Sequence, residues 1–281
     1  MKLLKESSTS KVSLIEENSE PKSIIKEFFD ESLLKKEIRI SQALSSSVPY
    51  KKDGNSLKFP FLQSIEKLVN APTPEPLALD IMRQCVGLIA DLESNQFVHR
   101  DIKPGNLFLD AQSRLYLSDF ETAQEPGSQS ETTCGTPGFM APEQYTNSRV
   151  DWLADQYSFG CVLYFVLTGI YPFKAERKEE FLEIQISGSP DPSTVNSKLK
   201  KPFCDLIIKM MSPVKEDRYQ TIEEIFHAVD ACSASTVKIE IIENKIVKIE
   251  PKALKQKRKN TALILYILAA LIFSALAFKI L

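Results

Sequence analysis

The chain has 281 residues, 43% of them hydrophobic and 26% charged, which suits one globular domain of about 200–250 residues with additional segments. The formal net charge of −2 argues against a nucleic-acid-binding protein, and only two histidines exclude a histidine-rich metal site. Five cysteines without a C-x-x-C pair indicate reduced thiols and exclude a disulfide framework.

The first sixty residues predict a small β-rich unit that contains one helix. Three short strands are expected at 2–7, 11–17 and 22–28, because apolar residues alternate there between polar turns. Residues 30–44 have the apolar spacing of an amphipathic helix, with acidic residues in its first turn. Asp53-Gly54 is a strong turn signal and predicts a hairpin over 48–62.

From residue 65 onward the sequence becomes mainly helical. Residues 155–169 are apolar on every side, which predicts a buried helix. A second small hairpin is expected over 107–118, and 119–150 reads as a loop. Further helices are predicted at 74–94, 176–187, 197–211 and 221–231.

The C-terminal part of the sequence predicts a membrane anchor. Residues 233–260 read as a linker that ends in the basic juxtamembrane segment KALKQKRKN, and residues 261–281 form an apolar run with one charge, Lys279. Such a run can span a bilayer as a single helix, and the basic flank places the preceding domain in the cytoplasm. A buried core helix is the alternative. Ala270 and Ser274 form a small-xxx-small pair that would allow a homodimer.

Several motifs occur in a fixed order in the middle of the chain. Residues 97–110 read FVHRDIKPGNLFLD, residues 117–122 read LSDFET, and Gly135-Thr136-Pro137 leads into Ala141-Pro142-Glu143. Asp155 opens the buried helix, and Arg218 lies in EDRYQT. This set resembles the signature motifs of the protein kinase family, of the Ser/Thr type found in bacterial eukaryotic-like kinases.

The resemblance implies an α+β, bilobal protein-kinase-like fold, with a small β-rich N-lobe at 1–64 and a larger helical C-lobe at 65–232. It also implies ATP and Mg²⁺ as cofactors and protein Ser/Thr hydroxyls as acceptors. Asp101 would orient the acceptor hydroxyl and take its proton, and Lys103 would neutralise the transferring phosphate. Asn106 and Asp119 would hold the magnesium ions.

The N-lobe departs from the family pattern. KESSTSKV (5–12) stands where the family has a glycine-rich phosphate loop, with Val12 at the loop's valine position and Lys5, Ser7 and Ser10 at the glycine positions. By the same resemblance, Lys26 would contact the ATP phosphates and pair with Glu37. The alternative is that Lys26 lies on a solvated strand edge.

Glu121 stands where the family has glycine after Asp-Phe. A glutamate there stiffens the turn and either disfavours the inactive flip of the Asp-Phe segment or, if its side chain points inward, repels ATP phosphates. If the side chain points outward, it is nearly harmless. Two hypotheses therefore remain: a membrane-anchored Ser/Thr kinase with a cytoplasmic catalytic domain, and a membrane-tethered pseudokinase that serves as a scaffold.

The resemblance also implies regulatory and structural roles. Arg100 would pair with a phosphate on the activation segment (119–143), where Thr132 and Thr133 are candidate phosphorylation sites. Glu143 and Arg218 would form a buried ion pair that braces the larger lobe. Thr136 is expected in the substrate-docking loop, and Cys134 is either an ordinary thiol or a redox site.

Overall fold

A computed structural model of the protein describes residues 1–70, 72–128, 133–146 and 149–236. These residues fall within one compact unit, Met1–Lys238, whereas the second unit, Ile239–Leu281, lies outside the described residues. The predicted basic segment, the predicted membrane helix at 261–281 and Thr132 also lie outside them. Within the ranges that the structure describes, no helix has the length and apolar character needed to cross a bilayer.

The smaller lobe is an antiparallel sheet with one helix, in the order that the sequence predicts. The sheet has the strand order β1-β2-β3-β5-β4. The turn between β4 and β5 contains Gly54, whose φ of +56° is a conformation that glycine adopts without steric penalty. The elements are β1 (Lys2–Glu6), β2 (Ser10–Glu17), β3 (Glu20–Phe28), α1 (Glu31–Ala43), β4 (Lys51–Asp53) and β5 (Ser56–Pro60).

Strand β3 lies at the centre of this sheet and carries Lys26. In the strand register, Lys26 is opposite Val12 of β2 and Leu57 of β5. The small core of the lobe consists of Phe28, Leu34 and Leu57. Lys26 therefore lies on a central strand and is buried, which overturns the alternative of a solvated strand edge.

Helix α1 begins with a side-chain cap and presents one buried face. Asp30 Oδ1 accepts a hydrogen bond from the Ser32 backbone N–H at 2.7 Å, which satisfies one of the unpaired donors of the first turn. Leu34 and Glu37 are three residues apart and are both buried. The helical repeat thus places the Glu37 carboxylate on the same face as a core leucine.

The larger lobe is mainly helical. Its three-stranded sheet has the order β6-β7-β8, in which the predicted hairpin is joined by a short strand that the sequence did not predict. Short 3₁₀ turns occur at Pro104–Asn106, Pro192–Thr194 and Lys215–Asp217. The elements are β6 (Gln63–Ser64), α2 (Ile65–Leu68), α3 (Glu75–Ser94), β7 (Leu107–Leu109), β8 (Leu115–Leu117), α4 (Pro142–Tyr145), α5 (Trp152–Thr168), α6 (Lys178–Ile186), α7 (Lys201–Met210) and α8 (Ile222–Thr236).

Helix α5 forms the centre of the larger lobe and is buried along almost its whole length, as predicted. It starts three residues earlier than predicted because the Asp151 side chain caps it by accepting a hydrogen bond from the Leu153 N–H. Helix α8 continues to Thr236 and so includes the first residues of the predicted linker at 233–260. Buried Val229 and Cys232 pack on the core near this end and favour its continuation.

Candidate active site

Lys26 lies in the cleft between the lobes and faces three carboxylates. Its Nζ is 2.7 Å from Asp119 Oδ1, 2.9 Å from Glu121 Oε1 and 3.6 Å from Glu37 Oε2. The Lys26 side chain is 9% exposed and that of Glu37 is 2% exposed, whereas Asp119 and Glu121 retain 29% and 22%. The structure therefore brings the predicted pair of Lys26 and Glu37 together and adds Glu121 to it.

The electrostatics of this cluster follow from burial and from the shared ammonium. Burial alone would lower the pKa of Lys26, but the attraction of Glu37, Asp119 and Glu121 outweighs it and raises that pKa. Burial raises the pKa of Glu37 to about 7, although Lys26 opposes this. Burial also acts to raise the pKa values of Asp119 and Glu121, but the charge of Lys26 holds both below their ordinary values.

Asp119 and Phe120 join the two lobes. The Phe120 N–H donates to Glu37 Oε2 at 3.0 Å, and the Phe120 ring is buried edge-on against His99 at 5.3 Å between centroids. Asp119 has a φ of +70°, a left-handed conformation that is uncommon for a residue other than glycine. The hydrogen bond from Phe120 to Glu37 therefore connects helix α1 to the backbone next to Asp119.

Asp101 lies at the centre of a second polar network. Lys103 Nζ donates to Asp101 Oδ2 and to Thr136 Oγ1, both at 2.7 Å, and Thr136 Oγ1 donates to Asp101 Oδ1 at 2.6 Å. The Asn106 amide donates to the Asp101 carbonyl oxygen at 2.9 Å. The structure thus brings Asp101, Lys103 and Asn106 together and connects them to Thr136 of the activation segment.

Buried Asp155 fixes the backbone of the segment that precedes Asp101. Its carboxylate accepts hydrogen bonds from the backbone N–H groups of His99 and Arg100, at 2.7 and 2.9 Å. Arg100 has a φ of +69°, so the hydrogen bonds stabilise a backbone conformation that would otherwise be strained. Burial raises the pKa of Asp155 to about 7, although these N–H donors oppose the shift.

A cavity of about 220 Å³ lies between the lobes and is lined by the five residues predicted to bind ATP or Mg²⁺, whereas Asp101 and Lys103 are not among its lining residues. One part of its wall is apolar and the other carries the charged cluster, a combination that is typical of a small-molecule site. Its lining includes Val12, Ile24, Val48, Phe59, Leu62 and Phe108 on the apolar side, and Lys5, Ser10, Lys26, Glu37, Asn106, Asp119 and Glu121 on the polar side.

The family comparison covers most of this fold. Residues 14–229 match the family model described as the protein kinase domain. The chain belongs to the protein kinase family.

Curated relatives are bacterial kinases that are longer than the region they share with this chain. Serine/threonine-protein kinase PknH of Mycobacterium bovis is 31% identical over 169 residues, which is 58% of this chain and 28% of that protein. Serine/threonine-protein kinase PknE of Mycobacterium tuberculosis is 33% identical over 168 residues, or 58% and 30% of the two chains. Serine/threonine-protein kinase PknD of the same species is 32% identical over 190 residues, or 65% and 28%. The matched region therefore covers less than a third of each relative.

The kinase's phosphate-loop segment contains no glycine and is closed by its own side chains. Ser7 Oγ accepts hydrogen bonds from the backbone N–H groups of Thr9 and Ser10, at 3.2 and 3.1 Å. Thr9 Oγ1 donates to Glu121 Oε2 at 2.9 Å, and Ser10 Oγ donates to Glu121 Oε1 at 2.8 Å. Glu121 therefore points inward and binds the segment that would cover the phosphates.

The donor atoms of the cleft fit the family's cofactors in part. Asn106 uses its amide nitrogen on Asp101, so its oxygen is the atom that it would offer to Mg²⁺ beside the Asp119 carboxylate. Three carboxylates around one ammonium also favour an added cation. Among the residues that the structure describes, no group of three or more His, Cys, Asp and Glu is arranged as a metal site, so Asn106 and Asp119 would need ATP phosphates and water as further ligands.

Two contacts near Glu121 and Arg100 were missed in the sequence. Lys36 Nζ donates to the Glu121 carbonyl oxygen at 2.6 Å, and Arg100 Nη1 donates to Gln124 Oε1. No local pattern identifies Lys36, because it is one of two adjacent lysines on an amphipathic helix. Thr133 is half-buried in the activation segment beside Cys134, and burial raises the pKa of that thiol.

Proposed function

We propose that the chain is a Ser/Thr protein kinase that transfers the γ-phosphate of ATP to Ser or Thr hydroxyls of protein substrates. The observation that carries this proposal is the network in which Lys103, Thr136 and Asn106 hold Asp101. The names of the relatives, PknH and PknE among them, support the same activity.

The residues of the cleft have separate roles in the proposed phosphate transfer. Asp101 would accept the proton of the acceptor hydroxyl, and Lys103, whose Nζ is 2.7 Å from Asp101 Oδ2, would neutralise charge on the transferring group. Asn106 and Asp119 would hold Mg²⁺, which supplies charge neutralisation for the phosphates when it is bound. Lys26 would orient the phosphates, and the apolar wall near Val12 and Val48 would enclose the adenine ring.

Transfer of labelled γ-phosphate tests the proposal directly. The full chain, purified in a mild detergent, is incubated with Mg-ATP and a generic basic protein beside Asp101→Asn. We expect incorporation by the unsubstituted protein and a loss of about 100-fold or more in the variant, the usual size of a general-base contribution. Matching thermal melting curves would exclude unfolding of the variant.

A pseudokinase scaffold is the second candidate, and the inward position of Glu121 favours it. The Glu121 carboxylate is 2.9 Å from the ammonium that would otherwise orient the phosphates. Equal background incorporation by the two folded proteins would support the scaffold and overturn the kinase proposal.

We also propose that residues 261–281 anchor the chain in a membrane with the catalytic domain in the cytoplasm. The length of the apolar run and the basic segment before it support this topology. Resistance of the full chain to alkaline extraction, lost when residues 261–281 are removed, is the expected result. Extraction of both forms would contradict the anchor. Protection of the catalytic domain from protease in sealed cytoplasm-side-out vesicles would contradict the orientation.

Autophosphorylation of Thr132 or Thr133 is proposed as a regulatory step. A phosphate there would add charge that Arg100 could bind. Mass spectrometry after incubation with ATP should find phosphate on one of these residues in the unsubstituted protein and none in Asp101→Asn. Finding none in both, while substrate protein is phosphorylated, would remove the regulatory proposal and leave the activity intact.

A further inference from the structure

The two departures from the kinase pattern contact each other. The phosphate-loop segment lacks glycine and provides hydroxyl groups, and Glu121 replaces the glycine that follows Asp-Phe and provides a carboxylate. Thr9 Oγ1 and Ser10 Oγ each donate to a different oxygen of this carboxylate, at 2.9 and 2.8 Å. The hydroxyls and the carboxylate together form one interaction between the lobes.

The backbone on either side of Glu121 is held in place. Its own carbonyl oxygen accepts a hydrogen bond from Lys36 Nζ at 2.6 Å, and the preceding Phe120 N–H donates to buried Glu37 at 3.0 Å. Both partners belong to helix α1. The direction of the Glu121 side chain into the cleft is therefore set by tertiary contacts and not by the side chain alone.

A carboxylate in this position makes the contacts that a nucleotide phosphate would need. Hydroxyl and ammonium groups are strong donors to both carboxylate and phosphate oxygens. Glu121 Oε1 already accepts from Ser10 Oγ and lies 2.9 Å from Lys26 Nζ. An incoming phosphate would meet occupied donors and a charge of its own sign, which disfavours binding.

We propose that Glu121, Thr9, Ser10 and Lys26 form an autoinhibitory clasp, in which the carboxylate substitutes for nucleotide phosphate, and that the chain admits a nucleoside polyphosphate only when the clasp opens. The inference rests on the proposed function only in placing the phosphates of ATP beside Lys26. The clasp predicts that the Glu121 carboxylate competes with the phosphates of ATP and does not compete with the adenine base.

Binding measurements separate the clasp from catalysis. The full chain, Glu121→Gln and Glu121→Gly are titrated with Mg-ATP by calorimetry and with adenosine by ligand-observed NMR. Glu125→Gln is the matched control, because Glu125 is also in the activation segment and its side chain is 66% exposed. Hydrogen exchange of the amides of residues 7–10 is measured without any ligand.

We expect both Glu121 variants to bind Mg-ATP about tenfold more tightly, a change of the size that loss of one competing charge can produce. Adenosine affinity should not change, and Glu125→Gln should match the unsubstituted protein. The loop amides should exchange faster in the Glu121 variants than in the control. Unchanged exchange shows that no clasp holds the segment, and unchanged or weaker ATP binding shows that Glu121 does not compete; either result overturns the proposal.

The binding measurements, combined with the labelled-phosphate assay on the same variants, keep the two proposals apart. Tighter ATP binding in Glu121→Gln with no phosphate transfer supports the clasp and rejects the kinase activity. Transfer activity in the unsubstituted protein, with ATP affinity that does not depend on Glu121, supports the kinase and rejects the clasp. Absence of both ATP and adenosine binding in every folded variant also overturns the clasp.

Discussion

Lys26 Nζ and Glu121 Oε1 lie 2.9 Å apart across the cleft, although the two residues belong to different lobes. The same ammonium is 2.7 Å from Asp119. The buried ammonium of Lys26 thus forms ion pairs with two carboxylates of the activation segment and with a third, that of Glu37 on helix α1. The position of Glu121 decides how accessible this cation is to any anion that enters the cleft.

Replacing Lys26 by Met should lower the free energy of unfolding by about 3 kcal/mol, because carboxylates in a buried cluster lose their counter-charge. Urea denaturation measures the change. Lys22→Met is the matched control: Lys22 also lies on β3, but its pair with Glu17 is 68% and 63% exposed, and its loss should change stability by less than about 1 kcal/mol. Equal effects of the two substitutions would contradict a structural role for the cluster.

Gly135→Ala should destabilise the protein by about 2 kcal/mol or more, because the new Cβ would lie 2.7 Å from the Arg100 carbonyl oxygen and 2.7 Å from Met140 Cγ, at a φ of +122°. Gly127→Ala is the control, since Gly127 also has a positive φ, +72°, but has nothing within 4 Å of the added atom. Thermal unfolding of the two variants separates the clash from the general penalty of a positive φ. A larger effect at Gly127 would refute the packing argument.

Arg218→Lys should cost about 3 kcal/mol of stability, because lysine cannot reproduce the two-point contact with Glu143. The Arg218 side chain is 0% exposed, and its Nη1 and Nη2 lie 2.7 and 2.9 Å from the two Glu143 oxygens. Its Nε also donates to the Ser212 carbonyl oxygen. Arg114→Lys, in a pair with Asp110 where the arginine side chain is 67% exposed, should leave the urea midpoint nearly unchanged. A similar urea midpoint for the unsubstituted protein and both variants would show that the two-point contact between Arg218 and Glu143 does not stabilise the fold.

The stability that Asp155 contributes should fall as the pH rises from about 4 to about 7 and then become level. Burial raises the pKa of Asp155 from 3.8 to about 7 in the folded chain, so the folded state binds more protons than the unfolded state in this window. One such group gives a slope of at most about 1.4 kcal/mol per pH unit. Buried Glu37 acts with the same sign, because its pKa is also raised to about 7.

The pH dependence of the free energy of unfolding in urea, from pH 5 to 8, tests this expectation. Asp155→Asn should reduce the slope below pH 7, whatever its effect on absolute stability, because the substituted side chain does not titrate. An unchanged slope in Asp155→Asn would show that the carboxyl titrates near its ordinary pKa.

Local pattern was enough to predict most of the fold. Alternating apolar residues and the Asp53-Gly54 turn predicted the strands of the smaller lobe, and the continuous apolar run at 155–169 predicted the buried helix α5. Strand β6 was missed because its two residues, Gln63 and Ser64, are too few to show a period and pair with a strand more than forty positions away. The end of helix α8 was placed too early because burial of Cys232 is not visible in the sequence.

The sequence by itself determined the chemical types in the site, since the order of HRDIKPGN, Asp119 and Ala141-Pro142-Glu143 indicated a protein kinase and named Asp101 and Asn106 as candidate residues. Only the tertiary structure decided where Glu121 points. Its hydrogen bonds join residues 111 and 112 positions apart, and helix α1 fixes its backbone from a third part of the chain. A side chain's direction across a cleft depends on contacts that exist only after the lobes have packed together, so no local pattern of residues carries that information.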